Sequence, residues 1–351
     1  MTTAQMNAAR LYRVGEPLVI ESIPVPTPGP DEVLVEVAAC GLCGTDIHLA
    51  VDGDIPVSRS PITLGHEAAG SVAVIGAAVS DYQVGDRVAL FPSATCGRCR
   101  FCLAGRESLC EGSQVYGMSR DGALARFVVA PARTLVPIPD EVPFAIAAVV
   151  TDSVATPFHA LRSRGALKAG ETVAVVGCGG LGTHAIILAR MMGAGYIVAI
   201  DVHADARVRA LKMGADLAID PLTDPKVRQV IKQHIGHGVD LALEFVGRAD
   251  TVATALGTLD TAGRCVVVGV GAEKPVLPPL LGFVGREHSV IGSFGMDKRD
   301  IADLLTLIAR GRLNLDQSVS ACYSLAEIND ALSRLATKET GLVRLVIEPG
   351  S

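Results

Sequence analysis

The stretch that most limits the fold is ETVAVVGCGGLGTHAIILARMMGAGYIVAID, residues 171–201. A short apolar run leads into Gly177-Cys178-Gly179-Gly180-Leu181-Gly182, a helical segment follows, and a second apolar run ends in Asp201. In the helical segment Leu181, Ala185, Leu188 and Met192 recur at helical spacing, which supplies a face to pack on a sheet. Strand, glycine turn, helix and strand in that order predict a βαβ unit, whose two strands run parallel. The alternation continues through ADARVRALKMGA, LAID, LALEFVG and RCVVVGVG, so a doubly wound parallel sheet is predicted here.

The glycine spacing is GxGxxG, a weak signal alone that gains meaning from its place between a strand and a helix. Gly177 would allow the tight turn, Gly179 would let backbone approach a pyrophosphate, and Gly182 would permit close helix–strand packing. The helix N-terminus, Gly180 and Leu181 included, favours phosphate charge. Asp201 lies nineteen residues beyond Gly182, where a carboxylate can accept hydrogen bonds from the adenosine ribose and repel a 2′-phosphate. NAD is therefore expected over NADP, with Arg207 the one nearby residue that argues the other way. A plain tight turn with an acidic strand end is the competing reading.

The first 150 residues have a different texture. Runs such as EVLVEVAAC and AAGSVAVIG are broken by Gly and Pro, as in PVPTPGP, and predict an antiparallel barrel-like or sandwich unit. At 351 residues the chain is long for one core, and two domains are expected. With 31 Lys+Arg against 37 Asp+Glu and no basic tract, nucleic acid and anionic membrane are not the expected partners. No run reaches the ~18 uninterrupted apolar residues of a membrane span, and the start MTTAQMNAARLYRVG lacks the apolar core of a secretory signal. A cytoplasmic setting is expected, with a small soluble ligand as partner.

Nine cysteines are an odd number for full disulfide pairing, and a reducing compartment favours metal. Cys96, Cys99, Cys102 and Cys110 stand at C-x2-C-x2-C-x7-C, a spacing that can wrap four thiolates round one tetrahedral zinc and leave no position for substrate. The alternative is four small buried hydrophobes. Cys40, Cys178, Cys265 and Cys322 lie in apolar or glycine-rich runs and are read as buried. A second, scattered set is Cys43, Thr45, Asp46 and His48 in CGTDIH with His66 and Glu67 in GHE. Cys43 and His66 suit a catalytic zinc, which takes about three protein ligands and keeps one position open.

In order and spacing, Cys43, Thr45, His48, Gly65-His66-Glu67, the four-cysteine lobe and the glycine fingerprint resemble the zinc-dependent medium-chain alcohol dehydrogenases over nearly the whole chain, through PDEVP to the closing LVRLVI. The resemblance implies an α/β protein: a barrel-like, mainly β catalytic domain at 1–153 and 294–351, with its zinc lobe at 93–113, interrupted by a Rossmann NAD-binding domain at 154–293. It implies two Zn2+ per chain, one catalytic and one structural, a site in the cleft between the domains, and a homotetramer. It also implies that Thr45 and His48 relay a proton, that Val268 and Val270 face the nicotinamide, that Val246 is a further cofactor-binding residue, and that Arg344 meets the pyrophosphate. The chain departs from the family in AAVVTDSVATPFHAL, where many relatives carry a second cysteine ligand and this one has Asp152. Some secondary-alcohol dehydrogenases of the family look similar there, so Asp152 is read as the third zinc ligand, with Asp46 orienting His66 and Glu67 an exchangeable ligand or a group behind the ligands.

For three of these residues a plainer reading stays open: a loop carboxylate for Asp152, a solvated histidine for His48, a strand-end charge for Arg344. The expected reaction is hydride transfer between a metal-activated alcohol and NAD, on secondary alcohols and ketones ahead of primary alcohols and aldehydes. Polyol, amino-alcohol and cyclic-alcohol dehydrogenation are the rivals, and a non-catalytic dinucleotide-binding protein is the answer from another class. Phe91 and Phe294 are taken as pocket walls.

Overall fold

A computed structural model describes residues 4–337, 339 and 341–350. The first three residues of the start read for a secretory signal lie outside it. The chain divides into two compact units, one drawn from the first 153 residues and from Asp297 onward, the other Val154–Met296.

In the first unit the apolar runs form a seven-stranded sheet. Its central strand, Glu32–Leu42, pairs antiparallel with Glu67–Ile75, with Phe127–Pro131 and with Arg344–Glu348. The sheet continues through Arg87–Leu90 to Leu135–Pro137 on one side and through Val319–Ser324 on the other. Glu32–Leu42 is buried along nearly its whole length, as befits a strand with neighbours on both edges. Behind it Val33, Val35, Val37, Leu42, Leu64, Val88, Leu124 and Ile347 form one core. A two-stranded ribbon, Ser93–Ala94 with Gln114–Val115, closes the base of the cysteine lobe.

The second unit is a six-stranded, all-parallel sheet. Taken in sequence, Thr172–Val176, Tyr196–Ile200, Leu217–Ile219, Val239–Glu244, Leu259–Val267 and Ser289–Gly292 lie in the spatial order 3-2-1-4-5-6, the doubly wound Rossmann arrangement. The helix Gly180–Met191 buries Ala185 and Leu188, whereas Leu181 and Met192 are only half-buried, so its packed face is shifted toward Ile186 and Ala189.

The expected return to the catalytic domain at 294 comes three residues later, because Ser293 still bonds Val267 O through its backbone N–H at 2.9 Å and Met296 is buried within the second unit. Cys40, Cys178 and Cys265 are buried, but Cys322 is exposed: it sits on a strand whose residues alternate in and out, on the outward face. Phe91 is buried and Phe294 is exposed. One helical run, Phe144–Arg164, is long and apolar enough to cross a bilayer by length and composition, yet 78% of it is buried inside the protein.

Candidate metal and cofactor sites

Register assembles the first site. Gly41 lies opposite Glu67 on one side and opposite Val346 on the other, with Leu42 opposite Leu345. Three neighbouring strands thus end together, and Cys43 and His66, just outside their strands, meet there with Arg344 and Glu67, each the first residue of its strand. Gly41 leaves room for the carboxylate, since a Cβ at that position would stand 2.3 Å from Glu67 Oε2. Gly65, at φ +94°, turns the chain into His66 where a Cβ would strike Leu124. Asp46 accepts the Cys43 backbone N–H at 2.9 Å and so fixes the turn that carries the thiol.

Asp152 arrives from the helical run that begins at Phe144 and completes the group. Cys43 Sγ is 3.4 Å and His66 Nε2 3.7 Å from Asp152 Oδ2. One ligand atom each from Cys43, His66, Glu67 and Asp152 lies within 4.8 Å of all the others. Metal–ligand bonds of ~2.0–2.3 Å to zinc imply edges of about 3.5 Å in a tetrahedron, so these three donors fit a zinc ion. Asp46 Oδ1 stands 4.0 Å from His66 Nδ1, on the side of the ring away from Asp152 and without a hydrogen bond. Thr45 Oγ1 is 3.6 Å from Cys43 Sγ. His48 is half exposed, with Nδ1 3.1 Å from Asp52 and 3.4 Å from Asp54.

The charges are crowded. Burial pushes the Glu67 carboxyl up to about 8 and raises the Asp46 carboxyl and the Cys43 thiol. Burial opposes charge on His66, but hydrogen bonding to Asp152 and Cys43 overrides it and raises the imidazole. Arg344 is part of this group: its Nη2 is 3.1 Å from Glu67 Oε1 and 3.7 Å from Cys43 Sγ, and its side chain is 5% exposed.

The four lobe cysteines also converge, with Sγ–Sγ distances of 3.9 Å for Cys96–Cys102 and 3.6 Å for Cys99–Cys102. None is in a disulfide. Bonds of ~2.3 Å from zinc to sulfur place thiolates about 3.8 Å apart, which these distances match. Backbone N–H groups of Cys96 and Cys99 point at the sulfurs of Cys110 and Cys96. Backbone hydrogen bonding from Cys102 lowers the Cys99 thiol to about 6, so part of the set favours thiolate before any metal arrives.

In the second unit Gly177 adopts φ +85° and a Cβ at Gly182 would stand 1.9 Å from Gly177 O, so both glycines are required by geometry. Gly179 faces open space and Gly180 opens a helix whose N-terminus has no side-chain cap, leaving its amides to an anion. Asp201 is anchored from two sides, Oδ2 accepting the Cys178 N–H at 2.7 Å and Oδ1 the His203 N–H at 2.8 Å. Arg207 donates to Asp201 O at 2.8 Å and pairs with Asp220 at 3.1 Å. Val246 adjoins Gly177, Val268 is buried and Val270 is exposed.

Two residues that sequence reasoning passed over organise this crevice. The buried carboxylate of Glu244 accepts the backbone N–H groups of Val246 and Gly247 at 2.7 and 2.9 Å and the Thr251 hydroxyl at 2.8 Å, holding the turn that flanks Gly177. Its signal was a lone charge ending the apolar strand LALE. Arg209 donates to Cys178 O and Thr183 Oγ1 and ties the glycine turn to the next helix.

Known proteins share this arrangement. The Alcohol dehydrogenase GroES-like domain family matches residues 29–140 and the Zinc-binding dehydrogenase family residues 180–310. An alcohol dehydrogenase of Geobacillus stearothermophilus is 35% identical over 94% of this chain and 96% of its own. A sorbitol dehydrogenase of Bacillus subtilis (strain 168) is 30% identical over 98% and 97%. A Sinorhizobium meliloti 1021 protein crystallised bound to NADP superposes with a TM-score of 0.88 at 34% identity, covering 99% of this chain and all of that one. With both halves matched and relatives aligned end to end, the chain belongs to the zinc-dependent medium-chain alcohol dehydrogenase family.

Proposed function

We propose that the protein is an NAD-dependent zinc alcohol dehydrogenase that interconverts secondary alcohols and ketones ahead of primary alcohols and aldehydes. The observation that carries this reading is the convergence of Cys43, His66 and Asp152 at zinc-ligand spacing. These three would hold the catalytic ion, and Cys96, Cys99, Cys102 and Cys110 a structural one. When bound, the catalytic zinc supplies Lewis acidity to the alcohol oxygen and NAD supplies the hydride acceptor.

The remaining work belongs to side chains. Thr45 Oγ1 would accept the substrate proton while giving its own to the nicotinamide ribose hydroxyl, which in turn would pass one to Nε2 of His48, a ring whose Nδ1 faces Asp52 and Asp54 and which returns the proton to water. Asp46 orients His66 from behind, and Glu67 with Arg344 sets the charge next to the ligands. Gly177, Gly179, Gly180, Leu181 and Gly182 cradle the pyrophosphate, Asp201 takes the adenosine ribose, and Val246, Val268 and Val270 line the nicotinamide side. Arg344 reaching the pyrophosphate is a further part of this reading.

The Ser289–Gly292 strand has a sheet neighbour on one side only, and Val276, Leu280, Leu281 and Val284 before it are exposed. An open strand edge beside apolar surface supports self-association, and the resemblance to the family adds the homotetramer and the cytoplasmic setting to this reading. Similarity to a sorbitol dehydrogenase keeps polyols as the second reading.

Zinc-loaded protein should form NADH with 2-butanol or cyclohexanol, more slowly with sorbitol and threonine, and lose the activity as Cys43→Ala while keeping one zinc. A Cys43→Ala variant with undiminished turnover would overturn the assignment, and NAD binding with no turnover on any alcohol would leave a dinucleotide-binding protein.

A further inference from the structure

Arg207 is the cation that the sequence analysis places near the adenosine end of the cofactor site, and the structure shows how it is kept occupied. Asp201 and Asp220 follow adjacent parallel strands, Tyr196–Ile200 and Leu217–Ile219, paired so that Ile200 faces Ile219. The two carboxylates therefore leave the sheet side by side. Arg207, from the helix Ala204–Lys212, reaches back to both strand ends, with Nη1 2.8 Å from Asp201 O and 3.1 Å from Asp220 Oδ2. Asp220 is fixed in turn, since its Oδ1 accepts the Leu222 N–H at 2.9 Å and its carbonyl the Asp224 N–H at 2.9 Å. The pair is four-fifths buried, with side-chain exposures of 20% and 17%.

We propose that Asp220 is a specificity-determining residue, one that excludes NADP by holding Arg207 on itself and away from the position a 2′-phosphate would take beside Asp201. This inference rests on the NAD reading and adds a second layer to it. Arg207 is engaged by Asp220, and Arg209 from the same helix is held on Cys178 O and Thr183 Oγ1, so a phosphate dianion beside Asp201 meets a carboxylate with no guanidinium turned toward it. Without the Asp220 charge the guanidinium is released from its single 3.1 Å contact to Asp220 Oδ2 and can meet a phosphate with a charge-assisted, two-pronged contact. The same fold carries NADP in a relative of 34% identity, so the crevice can admit the larger cofactor once the local charge permits.

The test is direct titration calorimetry of the zinc-loaded protein with NAD+ and with NADP+, compared among wild type, Asp220→Asn and Asp220→Asn with Arg207→Ala. Asn keeps the acceptor for the Leu222 N–H; thermal unfolding without cofactor checks the fold, and Asp220→Ser serves if Asn does not fold. The expected result is NADP+ affinity about tenfold tighter in Asp220→Asn, NAD+ affinity within about threefold of wild type, and the NADP+ gain abolished in the double variant. An unchanged NADP+/NAD+ ratio, or a gain that survives loss of Arg207, would overturn the role of Asp220 while leaving the NAD reading in place. Wild-type protein that binds NADP+ as tightly as NAD+ would instead overturn the NAD reading itself.

Discussion

The Arg344 guanidinium stands 3.1 Å from the Glu67 carboxylate with both side chains almost wholly out of water, Arg344 5% and Glu67 0% exposed. It is a charge contact without an aligned hydrogen bond, since neither Glu67 oxygen has a hydrogen-bond partner among the described residues. Removing one member of such a pair costs ~3–5 kcal/mol, because it leaves a buried charge uncompensated. Arg344→Met should therefore destabilise the protein by about 3 kcal/mol in urea unfolding near pH 8.5. Adding Glu67→Gln should restore most of that loss. A double variant no more stable than Arg344→Met would show that Arg344 acts through packing alone.

The Glu67 carboxyl gives the metal-stripped protein a pH dependence of definite sign. Its ordinary value of 4.5 rises to about 8 because of burial, so the folded state binds this proton more tightly than the unfolded chain does. That contribution is full below pH 4.5 and is lost as pH rises through 8. After chelation, wild-type stability should fall relative to Glu67→Gln between pH 5 and pH 9 by a few kcal/mol, because each pH decade between the two values contributes on the order of 1.4 kcal/mol. A difference that stays constant across this range would remove Glu67 as the titrating group.

Much of this was legible in the sequence because it depends on local chemistry. Gly177 and Gly182 are dictated by a backbone sign and a 1.9 Å approach that only glycine meets, and such demands are written in the residue type. The four lobe cysteines announce themselves in the same way. What depends on register was not legible: that Gly41 makes room for Glu67, or that Arg344 joins Glu67 and Cys43, follows from how three strands align across more than 300 residues. The Cys322 error is of this kind too, since a one-residue change of face decides burial on a strand. Glu244 escaped notice because its partners are backbone N–H groups, which carry no sequence signature.

The cysteine lobe should behave as a metal-dependent local fold. Residues 96–110 contain only the short helical turns Arg100–Leu103 and Glu107–Leu109, and Cys96, Cys99 and Cys102 remain partly exposed, so few apolar contacts hold the segment. Cys99→Ser should lower zinc content by about one ion per chain and speed amide exchange over these residues while the catalytic zinc persists. Unchanged exchange after loss of the ion would show that the lobe holds itself together.

Asp152 can be tested apart from the other ligands. Asp152→Asn keeps the shape and an oxygen but removes the charge that stands 3.4 Å from Cys43 and 3.7 Å from His66. Ligand substitutions of this sort weaken metal binding more than outer-shell changes, which already cost ~10–100-fold. Competition with a chromogenic chelator should show one of two zinc ions bound at least ~100-fold more weakly, with Asp152→Cys recovering affinity because thiolate is the softer donor. Unaltered affinity in Asp152→Asn would leave Cys43, His66 and Glu67 as the ligand set.

His48 offers the final test, because its geometry separates a relay from a bystander. Asp52 and Asp54 both approach Nδ1, at 3.1 and 3.4 Å, which points Nε2 outward on a side chain that is 48% exposed. A group so placed exchanges protons with water readily. His48→Gln should slow turnover most at acidic pH, where the departing proton most needs an acceptor, and least at alkaline pH, where hydroxide takes it. A profile in which His48→Gln lowers kcat equally at every pH would make the imidazole a structural residue and leave Thr45 to pass its proton directly to solvent.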